Sequence, residues 1–238
     1  MRYWNRALLL FACAAVAQAS IVVPNSLANT EGGGNNNFPF DSTTSQRYQQ
    51  VYAANQFSSG GWITQIAFRP DGIVGKVFSV TIANIQIDLS TTGDAPDGLS
   101  TTFANNVGSD DTTVFSGALS LSSSDTGPAG GPKAFDIIIN LTTPFLYNPG
   151  SGNLLLDVRN IIPATPSGGA GGFDSQLTLI DPVMSRVYSD DVNSATGTAD
   201  TEGLVTAFTL VPEPGTVGLL AVGILLVVVG LSFRRRTD

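Results

Sequence analysis

The chain has 238 residues, 13 % charged and 42 % hydrophobic, with 26 glycines, 13 prolines, one cysteine and no histidine. Its formal net charge is −8, and residues 20–212 alone hold 17 acidic against six basic side chains. An acidic surface of that kind repels phosphate backbones, which excludes nucleic-acid binding. The absence of histidine removes Ser-His and Cys-His nucleophilic systems and most zinc sites.

In chain order, residues 1–19 read as a signal peptide. Arg2 and Arg6 give a positive start, residues 7–17 form a short apolar core, and Ala17-Gln18-Ala19 supplies a small-x-small site for signal peptidase. Cleavage is expected before Ser20, because an apolar core this short falls below the roughly 20 residues of a stable span. The only cysteine, Cys13, leaves with the signal, so no disulfide can staple the exported chain. Residues 20–37 are rich in Gly and Asn, and a loop-like segment is expected there.

Residues 38–210 show period-two alternation. Phe135, Ile137, Ile139 and Leu141 share one phase, as do Leu154, Leu156 and Val158, and Leu204, Thr206, Phe208 and Leu210. Half-buried strands produce this pattern. In VFSVTIANIQIDL, Phe78, Val80 and Ile82 lie in one phase and Ile85, Ile87 and Leu89 in the other, which predicts a β-bulge near Ala83-Asn84. Turn chemistry separates the runs, as in Pro70-Asp71-Gly72, Asp94-Ala95-Pro96-Asp97-Gly98 and Asn148-Pro149-Gly150. The fold class expected is all-β, a single jelly-roll-like β-sandwich of about ten short strands.

Residues 211–238 form the tail. Pro212 and Pro214 fix their own φ angles and push Val211 and Glu213 toward extended backbone. Residues 215–233 follow without a charge, a helix of about 28 Å, close to the hydrocarbon thickness. Arg234, Arg235 and Arg236 come next, and the positive-inside rule places them in the cytoplasm with the strand-rich part outside.

Signal peptide, all-β body, Val211-Pro212-Glu213-Pro214, an apolar span and a terminal arginine cluster together resemble the PEP-CTERM sorting proteins of Gram-negative bacteria. The resemblance implies that an inner-membrane protease, exosortase, recognises the Pro-Glu-Pro handle and removes the helix. It also implies a destination at the cell surface or matrix and an association with exopolysaccharide. The body segments DGLSTTFANNVG and FLYNPGSGNLLLDVRN resemble stretches of some members, with no activity attached to them.

The body offers little placed acid–base chemistry, and no enzyme is expected. Asp136 and Asp157 alternate with apolar residues, and a solvated strand face is the expectation for both. Two ligand readings stay open. Calcium could take Asp190, Asp191, Asp200 and Glu202, four carboxylates within 13 residues. A glycan could stack on Tyr48 and Tyr52, the surface candidates of an aromatic-rich stretch in which Trp62 and Phe68 are expected to be buried. Carbohydrate-binding module and calcium-dependent adhesin are therefore the alternatives to a plain surface protein.

Overall fold

The alternating runs fold as strands, and every strand pairing is antiparallel. The computed structural model describes residues 18–40, 44–162, 165–167, 172–177 and 182–213. The strands are β1 (Ala19–Val23), β2 (Gly34–Asn36), β3 (Gln46–Tyr52), β4 (Gly61–Phe68), β5 (Phe78–Thr92), β6 (Thr112–Ser123), β7 (Ile137–Tyr147) and β8 (Asn153–Ile162). They continue as β9 (Thr165–Ser167), β10 (Phe173–Leu177), β11 (Met184–Ser189), β12 (Thr198–Asp200), β13 (Glu202–Leu204) and β14 (Thr206–Val211). Helix among the described residues amounts to three short 3-10 turns. The chain is all-β.

Three sheets form. One has the order β1-β14-β4-β7, a second β13-β10-β2, and the largest β12-β11-β3-β8-β5-β6 with β9 added on β5. The expectation of a loop over residues 20–37 is corrected at two points. β1 pairs with β14, and β2 pairs with β10. In β1 the run Ser20-Ile21-Val22-Val23 has enough β-branched character to add an edge strand, whatever the glycines after it do.

The long strand β5 changes phase where the sequence requires it. Its register with β6 jumps between Ile82 and Ile85, and that with β8 shifts between Asn84 and Ile85. The extra residue lets Phe78, Val80, Ile82, Ile85, Ile87 and Leu89 all point inward, each at most 5 % exposed. Opposite Ile85 stands Gly117, with φ +129° and open space where a Cβ would project. Glycine is needed there for backbone conformation, not for room.

The inner faces of the four-stranded and seven-stranded sheets share one core. Ile63, Ile66, Phe208 and Leu210 from the first meet Tyr52, Ile87, Leu154 and Leu156 from the second. Edge-to-face packing of Tyr52 on Phe208, with centroids 4.9 Å apart, ties them at the centre.

The second face of the large sheet is also covered. Segment 93–111 folds over β3, β8 and β11, and its Leu99 and Phe103 form a separate buried cluster with Val51, Leu155 and Val187. Asn106 fastens the cover: it is fully buried, accepts from the Ser100 N–H at 2.7 Å and donates to Gln49 Oε1 at 2.8 Å.

Candidate functional site

The tail begins at a defined place. Val211 is the last residue of β14 and pairs with Trp62 of β4. Pro212 and Glu213 follow, exposed and without regular structure. Gly61 lies so close to this exit that a Cβ on it would stand 2.7 Å from the Val211 carbonyl oxygen, so chain end and β4 are packed backbone to backbone. Pro214, the uncharged run and Arg234, Arg235 and Arg236 lie outside the described residues, as does Ala17. Among the described residues no helix is long and apolar enough to cross a membrane.

The other processing point sits beside the first. Ala19 and Ser20 are exposed at the start of β1, where Ala19 pairs with Leu210 and Ser20 with Thr209. Antiparallel pairing of β1 on β14 therefore brings the signal-peptide junction and the Pro-Glu-Pro handle to one end of the same sheet.

The four carboxylates read as a calcium loop do not converge. Arg186, buried on β11, takes Asp200 through two bonds of 2.8 and 2.9 Å and Glu202 at 2.6 Å. Asp190 instead accepts weakly from Gln46 at 3.4 Å, and Asp191 caps the N–H of Asn193 at 2.9 Å. A guanidinium occupies the position a cation would need, so the structure corrects that grouping. Next to Arg186 and Asp200 a cavity of about 240 Å³ opens toward the 95–99 loop. Asp97 stands on its rim, its carboxyl held above the ordinary range by burial and then by Asp200.

The glycan reading at Tyr48 and Tyr52 is also corrected, since both rings are 0 % exposed. Tyr48 donates to Gln50 Oε1, and Tyr52 shares a 2.9 Å hydrogen bond with Thr206 Oγ1. Burial raises both hydroxyls well above their ordinary range. A ring with no exposed face cannot stack on a sugar. Tyr52→Phe is expected to lower stability by about 1 kcal/mol through loss of that single bond, measured as a shift in the urea midpoint.

Trp62 departs from expectation in the other direction, at 40 % exposed. Asp157, expected on a solvated face, is 3 % exposed and accepts from Arg47 at 2.8 Å and Gln49 at 2.7 Å. Its neighbour across β5 and β8 is Asp88, which accepts from Thr113 at 2.6 Å. Asp136 caps the N–H of Ser124 at 2.8 Å.

One carboxylate group was invisible in the spacing because its members are 40 and 103 residues apart. Oxygens of Glu31, Asp71 and Asp174 all lie within 4.8 Å of one another. These are the described residues whose oxygens are placed to hold a hard cation, and Arg69 already stands among them. The Arg69 guanidinium reaches Asp174 Oδ2 at 2.6 Å and the Thr30 carbonyl at 2.6 Å. Glu31 meanwhile accepts from the Gly72 N–H at 2.7 Å, and Asp71 from Ile73 and Val74. Each carboxylate closes a loop, and the trio joins the segments before β2, after β4 and within β10.

Geometry thus defines a strand-rich body whose last strand delivers an exposed, proline-bounded handle at a sheet end. In class, the described residues are an all-β body that leads directly into this handle. Residues 210–236 match the family model described as the PEP-CTERM protein-sorting motif. The motif marks an exported protein, anchored transiently through its tail and processed by exosortase, a membrane protease. No curated protein matches the chain.

Proposed function

We propose that this chain is a non-enzymatic protein of the cell surface or extracellular matrix, associated with exopolysaccharide. Its described sheets form one jelly-roll-like β-sandwich, held outside the inner membrane with Arg234, Arg235 and Arg236 cytoplasmic until exosortase cuts the tail. The observation that carries this reading is the handle itself: Pro212 and Glu213 leave the end of β14 exposed and unpaired, as a protease substrate requires. A non-enzymatic role is supported by how the buried acids are used. Buried Asp157 and Asp174 and half-buried Asp200 and Glu202 each face an arginine in a salt bridge, while buried Asp71 and Asp88 accept hydrogen bonds from the Ile73 and Val74 N–H groups and from Gln86 and Thr113.

Mass spectrometry of the C-terminus in the producing cell tests the reading. The wild-type protein in the surface fraction is expected to lack the apolar run. The triple variant Pro212→Ala, Glu213→Ala, Pro214→Ala is expected to keep it and to remain with the inner membrane. Retention of residues 215–238 by wild-type protein in every fraction would leave a permanent anchor in place of a sorted protein.

A further inference from the structure

The outer face of the four-stranded sheet is unlike the rest of this acidic chain. The strand registers place its outward side chains in three rows. Nearest the tail lie Leu146, Trp62 and Val211. The middle row is Asn140, Gln65, Thr209 and Ser20, joined by Gln65 donating to Asn140 at 2.9 Å and Thr209 donating to Gln65 at 3.2 Å. The third is Ile138, Ala67, Ala207 and Val22. No ionisable side chain stands in any row. The row at the tail end exposes its large groups, Trp62 at 40 % and Leu146 at 42 %.

We propose that this tail-end row, centred on Trp62, seats on the lipid bilayer while the tail is still attached. The inference rests on the tail anchoring described above. Chain length supplies the first argument. Only three residues stand between Val211 and Gly215, where the uncharged run opens, and the four steps span at most about 14 Å. Trp62 is on the next strand, about 4.8 Å away. The headgroup zone itself is several ångströms deep, so the handle cannot hold this row far from it.

Chemistry supplies the second. Tryptophan favours the boundary between hydrocarbon and water, where its ring is buried and its indole N–H stays wet. An acidic body is repelled by anionic headgroups, and a charge-free face is the surface that can approach them. Signal cleavage before Ser20 would add one α-ammonium at this face, a group suited to lipid phosphate. Position supplies the third. Among the other exposed apolar side chains, the group Ile73, Val74 and Val77 follows the opposite end of β4. Seven residues of strand hold them roughly 20 Å or more farther away.

Trp4 and Trp62 are the chain's two tryptophans, so Trp4→Phe makes Trp62 a single reporter in the full chain. The test reconstitutes this variant in phosphatidylcholine vesicles carrying bromine high on the acyl chains. Co-flotation with the vesicles reads the anchor, and Trp62 emission reads the seating. Expected is a blue shift with about two-fold quenching by the brominated lipid, as for an interfacial indole. A second variant, Trp4→Phe, Trp62→Phe, Ile73→Trp, is expected to float equally and to stay unquenched. A floating chain whose Trp62 is unquenched overturns the seating and leaves the anchor intact. Equal quenching at position 73 overturns it too, as does a blue shift that follows protein density and ignores the bromine, which would mean a second copy on the face. Failure to float removes the anchor reading, and this one with it.

Discussion

Asp174→Ala is expected to lower stability by about 3–5 kcal/mol, the usual cost of stranding one member of a buried ion pair. The Arg69 and Asp174 side chains are 1 % and 0 % exposed and 2.6 Å apart. Removing the carboxylate leaves the guanidinium with the Thr30 carbonyl and the face of the Phe135 ring, and frees the Gly32 N–H that Asp174 Oδ1 accepts at 3.0 Å. Glu31 Oε1 and Asp71 Oδ1 are held by backbone N–H groups of the 71–74 turn, which limits how far these two acids can turn toward Arg69. Urea denaturation of the two proteins measures the loss, and a change under about 1 kcal/mol would show that Arg69 finds other oxygens or water.

The same carboxyl gives stability a pH dependence of defined sign. Burial pushes Asp174 up to about 6 from 3.8, against the opposing pull of Arg69 and the Gly32 N–H. The folded chain therefore holds this proton more tightly than the unfolded chain does. Its contribution to stability is complete below about pH 4 and is lost as pH rises to about 6. Wild-type protein is expected to lose stability relative to Asp174→Asn across that window, and parallel curves would refute the assignment. Asp97 and Asp111 are raised as well, so the comparison with Asn is what isolates Asp174.

Which features of this molecule are readable in its sequence follows from what alternation encodes. Period two reports the side of a strand on which a residue lies, and a break in the period reports a bulge. Both hold in β5, where the phase change at Ala83-Asn84 becomes a register shift. The tail is readable for a similar reason, because handle, apolar length and arginines are contiguous. Alternation does not report whether the far side of a strand is covered. Asp157 lies opposite Leu154, Leu156 and Val158 in phase, yet it is buried because segment 93–111 closes over that face. QRYQQVY in β3 fails as a surface for the same reason, being sheltered on both sides. Trp62 fails in reverse: nothing local marks the outer face of the four-stranded sheet as open. The Glu31, Asp71 and Asp174 group needed two loops and a strand to meet, which no spacing rule describes.

The two body segments that resemble stretches of some PEP-CTERM proteins turn out to be the two sides of one contact. DGLSTTFANNVG contributes Leu99, Phe103 and Asn106 to the cover, and FLYNPGSGNLLLDVRN contributes Leu155 and Asp157 to the face beneath. Phe103 is the centre of it. Its ring is fully buried, lies under the Arg47 guanidinium at 4.8 Å, and its carbonyl accepts from Gln49 at 3.1 Å. Phe103→Ala is expected to cost about 3–5 kcal/mol, as for other buried phenylalanines. Here the cavity would open onto a polar layer. Water reaching Arg47, Gln49 and Asp157 would weaken the charge-assisted bonds that now form in a sheltered setting. The loss should therefore be local before it is global. Hydrogen exchange is expected to accelerate across residues 97–108 and in β3 beneath them, while β4, β7 and β14 stay protected in the other sheet. Uniform acceleration through all three sheets would instead mean that the cover and the main core unfold as one unit, and that this contact is part of the fold's central cooperative structure.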